Sequence, residues 1–324
     1  MSTISKIGVY TSGGDAPGMN AAIRAVVRTA HYYELEVSGI RLGYEGMING
    51  DIQPMTLKSV GNILHRGGTV LKTARSEEFR TDEGKQKAYR QLKRFGIDAL
   101  VAIGGDGTFT GANKFSDMFE IPVIGIPATI DNDLKGTDFT IGYDTALNTV
   151  VKSVDQIRDT AESHDRLFII EVMGRDSGMI ALHAGIAAGA EAVMIPELKN
   201  NLETLIERLS SPGHQKSSKI LIVAEGQEIG GAFEIGRIVR EKFPQYDTRV
   251  SVLGHMQRGG HPTCNDRVLA SRFGVAAVEG LLAGKTGVMT GIQNQQIVYI
   301  PLDQAILQPS ELDLRLLKII DQLS

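Results

Sequence analysis

The segment Pro127-Ala128-Thr129-Ile130-Asp131-Asn132-Asp133 sets two carboxylates two positions apart, just behind a threonine. Moving a phosphoryl group needs positioning, a metal ion, and a group that accepts the proton of the attacking hydroxyl. One aspartate of such a pair can be that base while the other acid helps hold hydrated Mg²⁺, so that two partners are faced at once. The competing reading is a polar loop whose acids cap the next helix.

Two further stretches combine glycine with an acid. In Ile103-Gly104-Gly105-Asp106-Gly107-Thr108 the carboxylate stands between glycines with little steric cover. It suits Mg²⁺ beside nucleotide phosphates, or else an Asx turn capping a helix. Several kinase families share GGDGT, including those acting on NAD and on diacylglycerol, so it names no substrate. Thr11-Ser12-Gly13-Gly14-Asp15-Ala16-Pro17-Gly18 leaves an apolar run and enters a helical one. Backbone N–H groups at such a turn can approach a phosphate, helped by the positive end of the helix. It is neither a Walker A loop nor a GxGxxG fingerprint, and a plain strand-to-helix turn explains it equally well.

Cations accompany these acids. Arg75 ends RGGTVLKTAR, Arg166 precedes an apolar run, Arg175 follows one, and Arg249, His255 and Arg258 lie in RVSVLGHMQRGG. Arginine forks match phosphate oxygens. Any one of them reads as solvated surface, but several at run ends in a net-negative chain indicate an anion site.

The elements that must hold these groups are short apolar runs alternating with helical patterns. Strands are expected at Ile7–Tyr10, Glu36–Arg41, Ala99–Ile103, Ile121–Ile126, Leu167–Val172, Ala192–Ile195, Ile220–Ala224 and Arg249–Val252. Helical spacing covers Met19–Tyr33, Asp82–Phe95 and Ala146–Thr160. Such alternation predicts an α/β protein of parallel-rich sheets with helices on both faces. Ligands of such sheets bind beyond the carboxyl ends of the strands.

Bulk properties set outer limits. The chain has 324 residues, enough for one large or two modest domains. Glycine accounts for 37 of them, against an ordinary share of about 7%, which fits many tight turns at strand ends. The net charge of −4 argues against nucleic-acid or membrane attraction. Cys264 is the single cysteine, so no internal disulfide forms, and a reducing compartment is expected. The N-terminal MSTISKIGVYTSGGD lacks the apolar stretch of a signal peptide, and no run of about 18 or more apolar residues reads as a transmembrane helix. The expected address is the cytoplasm. No linker, short repeat or metal-ligand histidine spacing appears.

The ordered blocks TSGGDAPGMNAAIR, RGGT…AR, GGDGT, TIDND, IGYDTALNT, EVMGR, VAEG and VLGHMQRGG resemble the bacterial ATP-dependent 6-phosphofructokinases. Together they span most of the chain, and their joint order is far more specific than any one block. The resemblance implies two Rossmann-like α/β/α domains with the chain crossing more than once: 1–142 plus 257–307 for ATP, and 143–256 plus 308–324 for the sugar phosphate. It also implies a homotetramer in which neighbouring chains complete each site.

Carried onto matching positions, the resemblance has Gly14, Arg75 and Ser76 meet the nucleotide, with Gly105, Gly107 and Thr108 beside it. Asp106 and Asp133 would serve Mg²⁺. Asp131 would take the proton of the 1-hydroxyl of fructose 6-phosphate. Thr129, Met173, Gly174 and Glu225 would place the sugar, and Arg175 would stabilise the transferring phosphoryl group. Arg166 and Arg249, from a neighbouring chain, with His255 and Arg258, would hold the 6-phosphate. An ADP or phosphoenolpyruvate effector site would use Arg24, Arg28, Arg158, Gly189, Glu191 and Lys216.

Departures bear on donor and control. Pyrophosphate-using relatives carry an acid in place of Gly107 and a lysine in place of Ala128, so the pair seen here points to ATP. Ser76 replaces a frequent aromatic, which loosens nucleoside packing. Leu57 replaces an effector-site arginine, and the loop before Ile220 is thinner in basic residues, so weakened effector control is expected. The alternatives are a pyrophosphate-dependent enzyme, a kinase of another substrate such as NAD, and a noncatalytic metabolite sensor. Asp131 and Arg175 together argue against the sensor.

Overall fold

A computed structural model describes residues 4–163, 166–199, 201–210, 219–307 and 312–323. Its strands are β1 (Lys6–Thr11), β2 (Glu36–Ile40), β3 (Ile52–Met55), β4 (Ala99–Gly104), β5 (Val123–Pro127), β6 (Arg166–Val172), β7 (Ala192–Met194), β8 (Lys219–Ala224), β9 (Asp247–Val252), β10 (Val288–Gln293) and β11 (Gln296–Pro301). They fall in two compact units. The first comprises Met1–Ile130, Leu134–Thr145 and Arg258–Ser310; the second comprises Asp131–Asp133, Ala146–Gln257 and Glu311–Ser324.

The first unit is built on a sheet of order β11-β10-β5-β4-β1-β2-β3. Its five inner strands run parallel, while β3 and β11 pair antiparallel at the edges. The central strands β4 and β5 carry no polar side chain, as suits strands covered on both faces, and β4 is buried along its whole length. Tyr10, Met47, Leu92, Leu100, Phe109 and Phe115 belong to one core cluster. The helix Met19–Tyr32 packs on the helix Cys264–Leu282 so closely that a Cβ at Gly274 would lie 2.5 Å from that of Ala25. Thr263 caps the second of these helices, its hydroxyl accepting from the Asp266 amide at 3.3 Å.

The second unit has a parallel sheet of order β7-β8-β6-β9. Leu167, Ile169, Met194, Leu221 and Val223 pack there against Ile235 and Val239 of the helix Ala232–Lys242. The helix Met179–Ala187 is apolar except for His183 and largely buried, as a helix without a polar face must be.

All eight expected strands are present, with ends shifted by a residue or two. β3, β10 and β11 were not foreseen. Pro54 lies within β3 and argues against a strand by its missing N–H, yet an edge strand tolerates it. β10 and β11 form a hairpin turning at Asn294 and Gln295, both left-handed with φ of 48° and 66°. That is the backbone of a two-residue hairpin turn, reached here without the usual Asn-Gly signal. Among the described residues no helix is long and apolar enough to cross a membrane.

Candidate active site

In the first unit, β5, β4 and β1 are neighbours and all point the same way. Thr11 pairs with Ile103 and Gly104 with Pro127, so these strands end in line. At about 4.8 Å per strand, the three loops that follow sit side by side. The stretches TSGGDAPG, GGDGT and PATIDND, far apart in sequence, therefore leave one edge of one sheet.

The GGDGT loop opens the helix Asp106–Phe119 from Gly105. Asp106 and Gly107 are exposed, whereas Thr108 is buried. First-turn N–H groups have no partner within their own helix and carry partial positive charge, which suits a phosphate. A Cβ at Gly107 would meet nothing within 4 Å. The first turn is open there, and any acidic side chain would occupy that space.

The β1 loop is pinned on both sides. The Ser12 amide donates to the Ile103 carbonyl at 3.1 Å. The Thr11 hydroxyl donates to the Lys72 carbonyl at 3.0 Å, and the Val70 amide donates to the Asn20 side chain at 2.8 Å. These bonds tie the segment ending in Arg75 and Ser76 to the start of the helix Met19–Tyr32. Arg75 is exposed and Ser76 half-buried, its hydroxyl accepting from the Phe79 amide at 3.3 Å. Gly14 lies beneath Arg258: a Cβ there would stand 2.6 Å from an Arg258 Nη, which donates to the Asp15 carbonyl at 3.4 Å. Arg258, expected at the sugar phosphate, is thus stacked on the glycine loop expected at the nucleotide.

After β5 the chain keeps its course for one more residue, Ala128 bridging to Ile141. The Thr140 hydroxyl donates to the Thr129 carbonyl at 2.7 Å. Thr129, Asp131 and Asn132 are buried, Asp133 is half-buried, and Asn132 turns the chain through a left-handed φ of 50°.

In the second unit, β8, β6 and β9 are likewise adjacent and parallel, with Val172 opposite Ala224 and Glu171 opposite Val252. Their carboxyl ends carry Met173-Gly174-Arg175, Glu225 and His255. The Met173 amide donates to Gln257 Oε1 at 3.2 Å. The Arg175 amide donates to Glu225 Oε1 at 2.8 Å, and the arginine holds a left-handed φ of 55°. Arg175, Glu225 and His255 are exposed.

Arg166 and Arg249 are placed elsewhere. Arg166 opens β6, and Arg249 stands third in β9. At about 3.3 Å per residue, Arg166 is about 20 Å from the end of its strand. Both arginines meet Asp247, at 2.8 Å from Arg166 Nε and 3.0 Å from an Arg249 Nη. The Arg166 hydrogen bond, helped by the charge of Arg249, holds the Asp247 carboxyl below its ordinary range.

The residues expected at an effector are divided between the units. Arg24 and Arg28 lie on the helix Met19–Tyr32 of the first. In the second, Arg158 donates to the Ala188 and Gly189 carbonyls, and the Glu191 amide donates to the Ile220 carbonyl at 2.8 Å. Lys216 falls outside the described residues. Leu57 is on the surface.

Sequence reasoning passed over Gln257, wholly buried and accepting from the Met173 amide, and Asp266, buried and accepting from Gly142 and Thr145. Their only signal was a polar residue close to the GHMQRGG block.

A family model for phosphofructokinase matches residues 6–281. The ATP-dependent 6-phosphofructokinase of Cytophaga hutchinsonii is 54% identical over 322 residues, covering 99% of this chain and 98% of the relative. One from Thermus thermophilus is 53% identical over 317 residues, covering 98% of each. Among solved structures, the phosphofructokinase of Saccharomyces cerevisiae superposes with a TM-score of 0.88 at 38% identity, over 94% of this chain and 45% of the yeast chain. A pyrophosphate-dependent phosphofructokinase from Nitrosospira multiformis shares the fold, with a TM-score of 0.87 at 20% identity.

Proposed function

The chain belongs to the phosphofructokinase family, and from that membership we infer that it transfers the γ-phosphoryl group of ATP to the 1-hydroxyl of fructose 6-phosphate. The products are ADP and fructose 1,6-bisphosphate, the step is glycolytic, and the cytoplasm is its place. The observation that carries this reading is the alignment of the loops after β1, β4 and β5 along one sheet edge, with the open helix start at Gly107 between the other two.

Each part of the chemistry has a residue suited to it. The N–H groups of the first turn after Gly105 cradle phosphate oxygens, with Gly14 and Arg75 alongside. Thr108 is the buried anchor of that turn. Asp131 accepts the proton of the sugar hydroxyl, and Thr129 fixes the approach of its loop. Arg175 reaches the transferring group, where a fixed cation offsets developing charge. Glu225 binds sugar hydroxyls beside Met173 and Gly174. Holding both reactants in line is the main catalytic resource, and no phosphoenzyme is needed.

Mg²⁺ fits the residues present. No group of three or more ligating side chains gathers among the described residues. Mg²⁺ characteristically takes one or two carboxylates, water and substrate phosphates, and Asp106 and Asp133 supply such carboxylates. When bound, the ion neutralises phosphate charge during transfer.

Arg166 and Arg249 stand away from the carboxyl ends of their own sheet. This supports their acting on the 6-phosphate held by a neighbouring copy, with that copy's own His255 and Arg258, in a homotetramer. Exposed Leu57 in place of a cation supports weakened control by ADP or phosphoenolpyruvate, since each lost charge-assisted contact costs about 1.5–3 kcal/mol.

Asp131→Asn tests the assignment of the base. Its turnover should fall by about 10²–10⁴-fold while fructose 6-phosphate still binds. Undiminished turnover would remove Asp131 from that role.

A further inference from the structure

Asp266 is a charged residue almost wholly enclosed within the first unit, with 1% of its surface exposed. It lies in the first turn of the helix Cys264–Leu282, and its carboxylate accepts three hydrogen bonds. The Gly142 amide donates to Oδ1 at 2.9 Å. The Thr145 amide and hydroxyl donate to Oδ2 at 2.8 and 2.5 Å. The direction of that hydroxyl is fixed, because Thr145 Oγ1 itself accepts from the Thr263 amide at 3.0 Å. A neighbouring contact repeats the join: the Thr263 hydroxyl donates to Asp144 at 2.5 Å.

The turn gathered in this way is the return limb of the PATIDND segment. Ile141 donates its amide to the Pro127 carbonyl at 3.0 Å and bridges Ala128. Thr140 holds the Thr129 carbonyl. The same turn is wedged against the glycine loop after β1, since a Cβ at Gly142 would stand 2.7 Å from that of Ala16. A helix that begins at Cys264, far along the chain, thus fixes the backbone immediately before Asp131 through one buried anion. Burying a carboxylate carries a desolvation penalty, and here it is offset by three donors that would otherwise be buried without a partner.

We propose that Asp266 is a positioning residue for the phosphoryl transfer, its carboxylate gathering the Gly142–Thr145 turn so that Ala128 and Thr129 hold the approach to Asp131. The proposal rests on Asp131 being the base. Asparagine at 266 keeps the shape but sets an NH₂ against one of three donors, so one contact is lost and the turn shifts. Small misplacement of a reacting group is enough to cost about 100-fold in rate.

The test is steady-state kinetics of the full chain with ATP and fructose 6-phosphate, for the parent, Asp131→Asn, Asp266→Asn, Thr145→Val and Thr145→Ser. The parent's rate tests the reaction itself, and Asp131→Asn tests the base, so failure of either is distinguishable from failure of the proposal. Asp266→Asn should lower kcat by about 10- to 100-fold with both KM values nearly unchanged. Thr145→Val should lower it less, and Thr145→Ser, which keeps the hydroxyl, should restore it. A merely structural role would lower the melting temperature and leave the kcat of folded protein intact. Parental kcat in folded Asp266→Asn overturns the proposal. Should that variant not fold, parental kcat in Thr145→Val overturns it equally.

Discussion

The Arg175 amide donates to the Glu225 carboxylate at 2.8 Å while Arg175 sits at a left-handed φ of 55°. Such a backbone costs a non-glycine residue about 1–3 kcal/mol. Gly174 and Gly226 flank the strained turn, and a Cβ at Gly226 would stand 2.2 Å from the Arg175 carbonyl. The acceptor at the end of β8 therefore holds a turn at the end of β6 in a conformation it would not adopt alone. Replacing Arg175 by glycine relieves the strain and removes the cation. Arg175→Gly should melt no lower than the parent yet lose about 10²–10³-fold in kcat. Thermal melts beside steady-state rates check this, and a variant that unfolds early would refute the strain argument.

Arg166 and Arg249 share Asp247, away from Met173, Arg175 and Glu225 at the carboxyl ends of their sheet, and under the proposed function each site is completed across copies. Arg166→Ala alone and Asp131→Asn alone should both be poorly active. Dissociated, mixed and reassociated, the two should regain activity above either parent, because some hybrid sites carry both native side chains. A mixture no better than its components contradicts the shared site.

Open space at Gly107 predicts a specific effect of filling it. Gly107→Asp should fold normally, since an added side chain meets nothing within 4 Å. It should raise KM for ATP by about tenfold or more, because a carboxylate then faces phosphate oxygens across the first helical turn. KM for fructose 6-phosphate should hardly change. Unaltered ATP kinetics would detach Gly107 from the donor site.

Burial pushes the Asp266 carboxyl up to about 6 from 3.8, outweighing the pull of Thr145 and Gly142, with Asp144 adding a little repulsion. The folded chain binds that proton more tightly than the unfolded chain does. This group's contribution to stability is therefore full below its unfolded value and fades as pH rises through the folded one. A shift of about two units corresponds to roughly 3 kcal/mol. Relative to Asp266→Asn, the parent should lose stability between about pH 4 and pH 7. Denaturant unfolding of both proteins across that range measures it, and a constant difference would contradict it.

Much of this architecture was legible because its signals are local. β1, β4 and β5 are short, largely apolar runs, each followed by a turn rich in glycine or acid, and a strand buried on both faces reads as apolar. Asp106, Asp131, Arg175 and Glu225 follow the carboxyl ends of apolar runs, where parallel sheets bind ligands. What remained hidden depends on pairing. β3, β10 and β11 took their places from sheet neighbours, in spite of Pro54 and without a glycine at the hairpin turn. The placing of Arg258 over Gly14, and of Asp266 against Gly142 and Thr145, joins residues more than a hundred positions apart. No periodicity reports such a contact. The common attachment of Arg166 and Arg249 to Asp247 is visible only once β6 and β9 are in register.

The donor and the acceptor are tested together by ³¹P NMR of the purified protein with Mg²⁺ and fructose 6-phosphate, given ATP in one tube and pyrophosphate in another. A new C1 phosphate accompanied by ADP is expected in the ATP tube, and no product with pyrophosphate. Product with pyrophosphate alone would contradict the reading of Gly107 and Ala128. Folded protein that forms no product in either tube would contradict the proposed reaction itself.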